Sequence, residues 1–144
     1  MPNIRLTEEE LRYIALFENI TGVPARDCVI DRANDRIIFI VDKGFAGLAV
    51  GKGGVNIRRI RELIGKSVEV VEYGETPEEL IKNCLYPAKV LAVKITKTAN
   101  GRKVAVATVA PQEKAIAIGK GGKNINRARI LAKRYFDIDW VTIA

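Results

Sequence analysis

The sequence predicts an α+β protein made of two tandem units that share one α-β-β-α-α-β order. Three observations predict it. The heptad Gly51-Lys52-Gly53-Gly54-Val55-Asn56-Ile57 recurs 68 positions later as Gly119-Lys120-Gly121-Gly122-Lys123-Asn124-Ile125. The flanks repeat in register, with Leu48-Ala49-Val50 against Ile116-Ala117-Ile118, and Arg59 and Arg61 against Arg127 and Arg129. Upstream, Thr7-Glu8-Glu9-Glu10-Leu11 is echoed by Thr76-Pro77-Glu78-Glu79-Leu80. One glycine-rich heptad is weak evidence, but two in register mark a duplicated module.

Thr7 opens a helix over residues 7–20. Its hydroxyl accepts from first-turn N–H groups, Glu10 reaches back, and Leu11, Ile14 and Ala15 form the apolar face. Two β-branched runs, 27–32 and 36–42, flank Ala33-Asn34-Asp35-Arg36 as strands flank a hairpin turn. A short helix over 45–50 leads into the first glycine loop. A helix over 55–64 then turns Ile57, Ile60 and Ile64 inward and Arg58, Arg59, Arg61 and Glu62 outward, and residues 67–73 alternate as a closing strand.

The second unit repeats the order. Thr76 caps a helix over 77–85 that has Pro77 at its first position. Strands over 89–98 and 102–110 flank Ala99-Asn100-Gly101-Arg102, helices follow over 112–118 and 122–135, and a strand over 137–143 closes the unit. The domains are read as residues 1–75 and 76–144. Only Gly74 and Glu75 separate the closing strand from Thr76, so the units are expected to pack as a rigid pair.

Composition narrows the chemistry. Units of roughly 70 residues can hold a modest core. Histidine is absent, and Cys28 and Cys84 occupy non-equivalent positions of the repeat. A zinc site is therefore not expected, and both cysteines read as reduced core thiols. No leader and no long apolar run is seen, and three glutamates fall in the first ten residues, so a soluble intracellular protein without membrane association is expected.

The net charge of +7 is uneven. Residues 1–76 carry 11 Lys/Arg and 12 Asp/Glu, whereas residues 77–144 carry 13 and 5, so the second unit holds the excess. Residues 114–134 hold seven cations and no acid, and the matching 51–66 hold five cations and one acid. Charged residues are usually just the solvated face of a helix. Cations gathered beside a glycine loop, twice, point further, to a face for a polyanion.

Two nucleotide motifs fail on spacing. A phosphate-binding P-loop needs a hydroxyl where Gly53 and Gly121 stand, and Ala115 replaces its leading glycine in the second copy. The dinucleotide fingerprint fails because Asn56 and Asn124 stand where its last glycine belongs. Neither loop follows a strand directly, as both motifs require. A helix-loop-helix fits better: its glycines let a phosphate backbone approach closely, and its second helix presents N–H groups to it.

The runs from Val50 to Ile57 and from Ile118 to Ile125 resemble the I-G-x-x-G-x-x-I signature of KH domains, which clamp about four nucleotides of single-stranded RNA or DNA. The element order resembles the type II, prokaryotic arrangement. The tandem pair is similar to the KH region of the transcription factor NusA, and most closely to the short archaeal NusA-like proteins, over nearly the whole chain. Bacterial NusA carries further domains before its KH pair, including an S1-type RNA-binding domain. Six residues precede the first helix motif here, so functions of those domains are not carried over.

By position, the resemblance makes Gly51, Lys52, Gly53 and Gly54, with Gly119, Lys120, Gly121 and Gly122, the backbone clamps. Lys52, Lys120 and Lys123 would neutralise phosphates. Neighbouring residues on a helix point in different directions, and the aligned pair Arg59 and Arg127 is favoured over Arg58 and Arg129. Val50, Ile57, Ile118 and Ile125 would line a base groove or belong to the core. Aromatic stacking is not implied, because all nine aromatics lie outside residues 51–61 and 119–129. The resemblance implies a non-enzymatic, cytoplasmic binder of single-stranded RNA acting in transcription elongation, termination or antitermination, without a cofactor and with RNA polymerase as a candidate partner. The alternative is a KH protein of ribosome assembly or ribosomal RNA maturation. An enzyme is disfavoured, since histidine and metal-ligand clusters are missing and the carboxylates sit at helix starts, where capping accounts for them.

Overall fold

The structure, a computed structural model, describes residues 4–144 and contains two compact units, Arg5–Tyr73 and Gly74–Ala144. The first unit runs α1 (Glu8–Thr21), β1 (Asp27–Asp31), β2 (Arg36–Val41), α2 (Ala46–Val50), α3 (Val55–Ile64) and β3 (Ser67–Glu72). The second runs α4 (Pro77–Leu85), β4 (Val90–Lys97), β5 (Lys103–Val109), α5 (Lys114–Ile118), α6 (Lys123–Phe136) and β6 (Trp140–Ile143). Both therefore keep the α-β-β-α-α-β order. The division falls after Tyr73 rather than after residue 75. Gly74 already packs on the start of α4, where an added Cβ would lie 2.4 Å from the backbone nitrogen of Leu80.

Each sheet has three strands, ordered β1-β2-β3 and β4-β5-β6. The first two strands of each are antiparallel, and the third joins the central strand in parallel. A parallel partner needs a crossover connection, which the two helices supply. The glycine loop lies between those helices, so the topology places it beside the edge strand. Left-handed residues make the hairpin turns, Asp35 at φ 51° and Gly101 at φ 86°.

The helix starts follow the capping logic. Thr7 accepts from the Glu10 N–H at 3.2 Å, and Glu10 Oε1 accepts from the Thr7 N–H at 2.7 Å. Thr76 accepts from the Glu79 N–H at 3.2 Å, with Pro77 opening α4. The inward stripe of α1 differs from the expected one. Leu11 is 52% exposed and Ala15 is exposed, while Phe17 is fully buried with Tyr13, Ile14 and Ile20 packed around it. The largest apolar ring sets the rotation of the helix: Phe17 stacks on Phe39 of β2, ring centroids 4.4 Å apart. Ile57 and Ile60 of α3 complete this core, with Ile64 half-buried at its rim.

Cys28 and Cys84 are buried and free. In the second unit α4 packs on α6, with Leu80, Ile81, Cys84 and Leu85 buried on one and Ala128, Leu131, Ala132 and Tyr135 on the other. The central strand β5 buries only the small Ala105 and Ala107 and Val109, where β2 buries Ile37, Phe39 and Val41. The first unit also buries a charge cluster that the sequence reading did not anticipate. Arg36, fully buried, donates to Asp31 Oδ2 at 2.7 Å and to Glu69 Oε1 at 3.1 Å. Burial pushes the Asp31 carboxyl up, but hydrogen bonds from Arg36 and Asn34 outweigh it and hold the group below its ordinary range.

The closing strand of the second unit starts later than expected, at Trp140 instead of residue 137. Asp137 ends α6 in the left-handed conformation, with its N–H on Lys133 O at 3.2 Å, so Asp137 is spent as a helix cap.

Candidate nucleic-acid interface

The two glycine loops have nearly the same backbone. Gly51 and Gly119 stand at φ 81°, ψ 163° and φ 79°, ψ 165°. Gly53 and Gly121 both have φ 64°, and Gly54 and Gly122 both have φ 77°. Lys52–Gly54 and Lys120–Gly122 form a single 3-10 turn joining the short helix to the long one. Because Gly54 and Gly122 are the N-caps, α3 and α6 have no side-chain cap hydrogen bond. The first N–H of each long helix folds back on the turn, Val55 to Lys52 O and Lys123 to Lys120 O, so the exposed glycine turn itself stands at the positive end of the helix dipole.

Asn56 and Asn124 hold this geometry. Asn124 donates through Nδ2 to Ile116 O at 2.8 Å, and Asn56 donates to Leu48 O at 3.4 Å, tying each long helix back to the short one. The loop passes so close that a Cβ on Gly119 would lie 2.9 Å from the Asn124 backbone nitrogen, whereas one on Gly121 meets nothing within 4 Å. The ψ of Gly119 also puts it in a region that essentially only glycine occupies. Gly119→Ala is therefore expected to cost about 2–3 kcal/mol of stability and Gly121→Ala about 1 kcal/mol. Denaturant melts of the two variants check the ordering.

Lys52 and Lys120 are exposed at the turns, with Gly53 and Gly121 exposed beside them, and Lys123 is half-buried at the first position of α6. Arg59 is exposed on α3. Arg58 also reaches the loop, donating to the Gly53 carbonyl.

Arg127, expected to face RNA as the partner of Arg59, does not. It is only 8% exposed, and its guanidinium donates to Cys84 O through Nε at 2.8 Å and through Nη2, and to Tyr86 O at 3.3 Å. The reason lies in how the first helix of each unit ends. Helix α1 ends at Gly22, left-handed, whose N–H returns to Glu18 O. Helix α4 ends at Tyr86 with extended backbone and with Pro87, which has no N–H, following. Arg127 supplies the donors that a glycine cap would have supplied, and its charge suits the helix C-terminus. Arg59 has no such duty.

A groove of about 350 Å³ opens in the second unit beside the loop. One wall is Ile118, Gly122, Ile125, Asn126 and Arg129, and the other is Thr142 and Ile143 of the edge strand β6. Ile118 is 42% exposed, and Ile125 reaches the groove from the core. Arg129, which the sequence reading set aside, is fixed in this wall. It donates through Nε to Val141 O at 3.0 Å and through Nη1 to Asn126 Oδ1 at 3.2 Å, with its guanidinium 3.7 Å over the Trp140 ring. The repeat could have flagged Asn56 and Asn124, which occupy the same place in both copies. Nothing in it flagged Trp140. Among the described residues, no group of three or more potential ligands could hold a metal ion, and no helix is long and apolar enough to cross a membrane.

Comparison with known proteins agrees with this geometry. The family model for the KH domain matches residues 11–98, and that for the NusA-like second KH domain matches residues 77–143. The chain is 40% identical over 141 residues to the "Probable transcription termination protein NusA" of Halococcus morrhuae, covering 98% of this chain and 99% of that protein. It is 41% identical over 136 residues to the protein of the same name from Halobacterium salinarum, covering 94% and 95%. The crystal structure of APE1850 superposes with a TM-score of 0.87 at 42% identity, over 96% of this chain and 100% of that one. The chain belongs to the KH-domain family, and within it to the NusA-like KH pairs.

Proposed function

We propose that the chain is a non-enzymatic binder of single-stranded RNA acting in transcription termination or antitermination; its archaeal relatives are named as probable transcription termination proteins. The observation that carries this reading is the pair of exposed glycine turns at helix starts that have no side-chain cap. The two turns share one backbone geometry, lie at the positive end of a helix dipole, and each carry an exposed lysine, Lys52 and Lys120. In the reading, Gly51 to Gly54 and Gly119 to Gly122 clamp the sugar-phosphate backbone. Lys52, Lys120, Lys123 and Arg59 neutralise phosphates, and the groove beside Ile118 and Ile125 takes the bases. Arg127 is removed from this set and Arg58 joins it. RNA polymerase is the proposed protein partner.

Salt tests the phosphate assignments. Each neutralised phosphate of a single strand contributes about 0.7 to the slope of log affinity against log salt. Replacing Lys120 and Lys123 with glutamine is expected to flatten that slope by about 1.4, and Lys52→Gln by about 0.7. Unchanged slopes would place the phosphates elsewhere. Co-purification from native cells tests the cellular role: RNA polymerase is expected, and ribosomal particles in its place would favour ribosome assembly.

A further inference from the structure

The second unit carries an aromatic surface that the glycine-loop reading does not use. Trp140 opens β6 and is 45% exposed. It lies opposite Val104 in the sheet and two residues before Thr142, on the same face of the strand, so its ring stands about 7 Å along the strand from the Thr142 wall of the groove. Arg129 joins the two places, lining the groove while its guanidinium stacks over the Trp140 ring. On the far side a second cavity, about 450 Å³, is lined by Val104 and Trp140 with Thr98, Asn100 and Arg102 at its rim.

This cavity has the chemistry of a nucleobase site. Its apolar floor includes a large ring; the Thr98 hydroxyl donates to Asn100 Oδ1 and so fixes the Asn100 amide, whose NH2 and the Arg102 guanidinium offer donors to a polar edge. The surrounding charge suits a polyanion, since residues 80–112 contain six Lys/Arg and no Asp or Glu. The first unit lacks the device: Ser67 stands at the start of its edge strand, and Arg61, the counterpart of Arg129, has no ring opposite it there. A device needed merely to close the fold would be expected in both copies.

We propose that Trp140, held by Arg129, is a stacking subsite for one further nucleobase of single-stranded RNA, beyond the groove of the second glycine loop, with Asn100 and Arg102 reading its edge. The subsite rests on the RNA-binding reading above. It lengthens the track of the second unit past the stretch clamped by Gly119 to Gly122. Stacking on an aromatic ring tolerates any base, so the expected gain is in affinity and site length more than in sequence preference.

Trp140 is the only tryptophan in the chain, so its fluorescence reports on this subsite alone. The full-length protein is titrated with oligouridine of four and of eight nucleotides. Saturating octamer is expected to quench the fluorescence strongly, and the tetramer, which fills the glycine-loop groove, to leave it nearly unchanged. Trp140→Ala is expected to weaken octamer binding about fivefold or more while tetramer binding stays the same. Trp140→Phe, which keeps a ring, should restore most of the loss. Octamer binding without quenching would overturn the subsite, and so would equal losses for both lengths, the mark of a purely structural tryptophan. Failure of the unaltered protein to bind either oligomer would overturn the RNA-binding reading itself, and the subsite with it.

Discussion

Replacing Lys120 and Gly121 together with aspartate is expected to lower affinity for single-stranded RNA at least tenfold, about 1.4 kcal/mol, and to lower the thermal midpoint by no more than about five degrees. The structure supports both halves of this result. Gly121 is exposed at φ 64°, ψ 18°, with open space where a Cβ would go, and aspartate is among the few residues that accept this left-handed conformation. Lys120 is exposed, so its replacement removes no core contact. Two carboxylates would then stand in front of the uncapped start of α6, where a phosphate is proposed to sit. The same change at Lys52 and Gly53 should weaken binding less, because residues 1–76 carry 11 cations against 12 acids. Undiminished binding by the Lys120 and Gly121 variant, measured by titration, would sink the clamp assignment.

Arg127→Ala is expected to do the opposite, destabilising the fold by about 2–4 kcal/mol through the loss of buried charge-assisted hydrogen bonds. Cys84 and Tyr86 carbonyls at the end of α4 would lose their guanidinium donor. For a unit of this size the loss corresponds to a fall in thermal midpoint of roughly ten degrees or more. Arg59→Ala, at the matching place in the repeat, is expected to change stability by less than about 0.5 kcal/mol, since the side chain is exposed. Its effect should fall on RNA affinity. Thermal melts of both variants decide the matter: equal midpoints would contradict the division of labour between these two arginines.

These two arginines also show where sequence reading stops. The repeat aligns them, and repeat alignment carries backbone position faithfully, which is why the glycine loops, the Thr7 and Thr76 caps and the order of helices and strands along the chain were all legible. What a side chain does in that position depends on the neighbouring helix end. Gly22 caps α1, α4 has no such glycine, and only packing brings Arg127 to the vacancy across 43 residues of sequence. The apolar face of α1 was misread for a similar reason. Leu11, Ile14 and Ala15 satisfy helical spacing, but the pairing of Phe17 with Phe39 decides which stripe turns inward.

The stack of Arg129 on Trp140 was hidden by the same kind of distance. Trp140 lies outside the loop segments along the chain, and the parallel strand β6 carries it back beside Arg129. The absence of aromatics from the loops was therefore a correct observation about sequence that did not extend to space. The asparagines were legible in principle. Asn56 and Asn124 recur in register, and their role of bonding the preceding short helix follows once that helix is placed.

The most direct test of the central claim is amide chemical-shift mapping of the full-length, ¹⁵N-labelled protein during titration with single-stranded RNA. The largest changes are expected at the amides of Gly51 to Ile57 and Gly119 to Ile125, where the glycine turns would meet phosphate, with little change along α4 around Cys84. Changes concentrated away from both glycine loops, or saturation by RNA that leaves those amides unmoved, would contradict that claim.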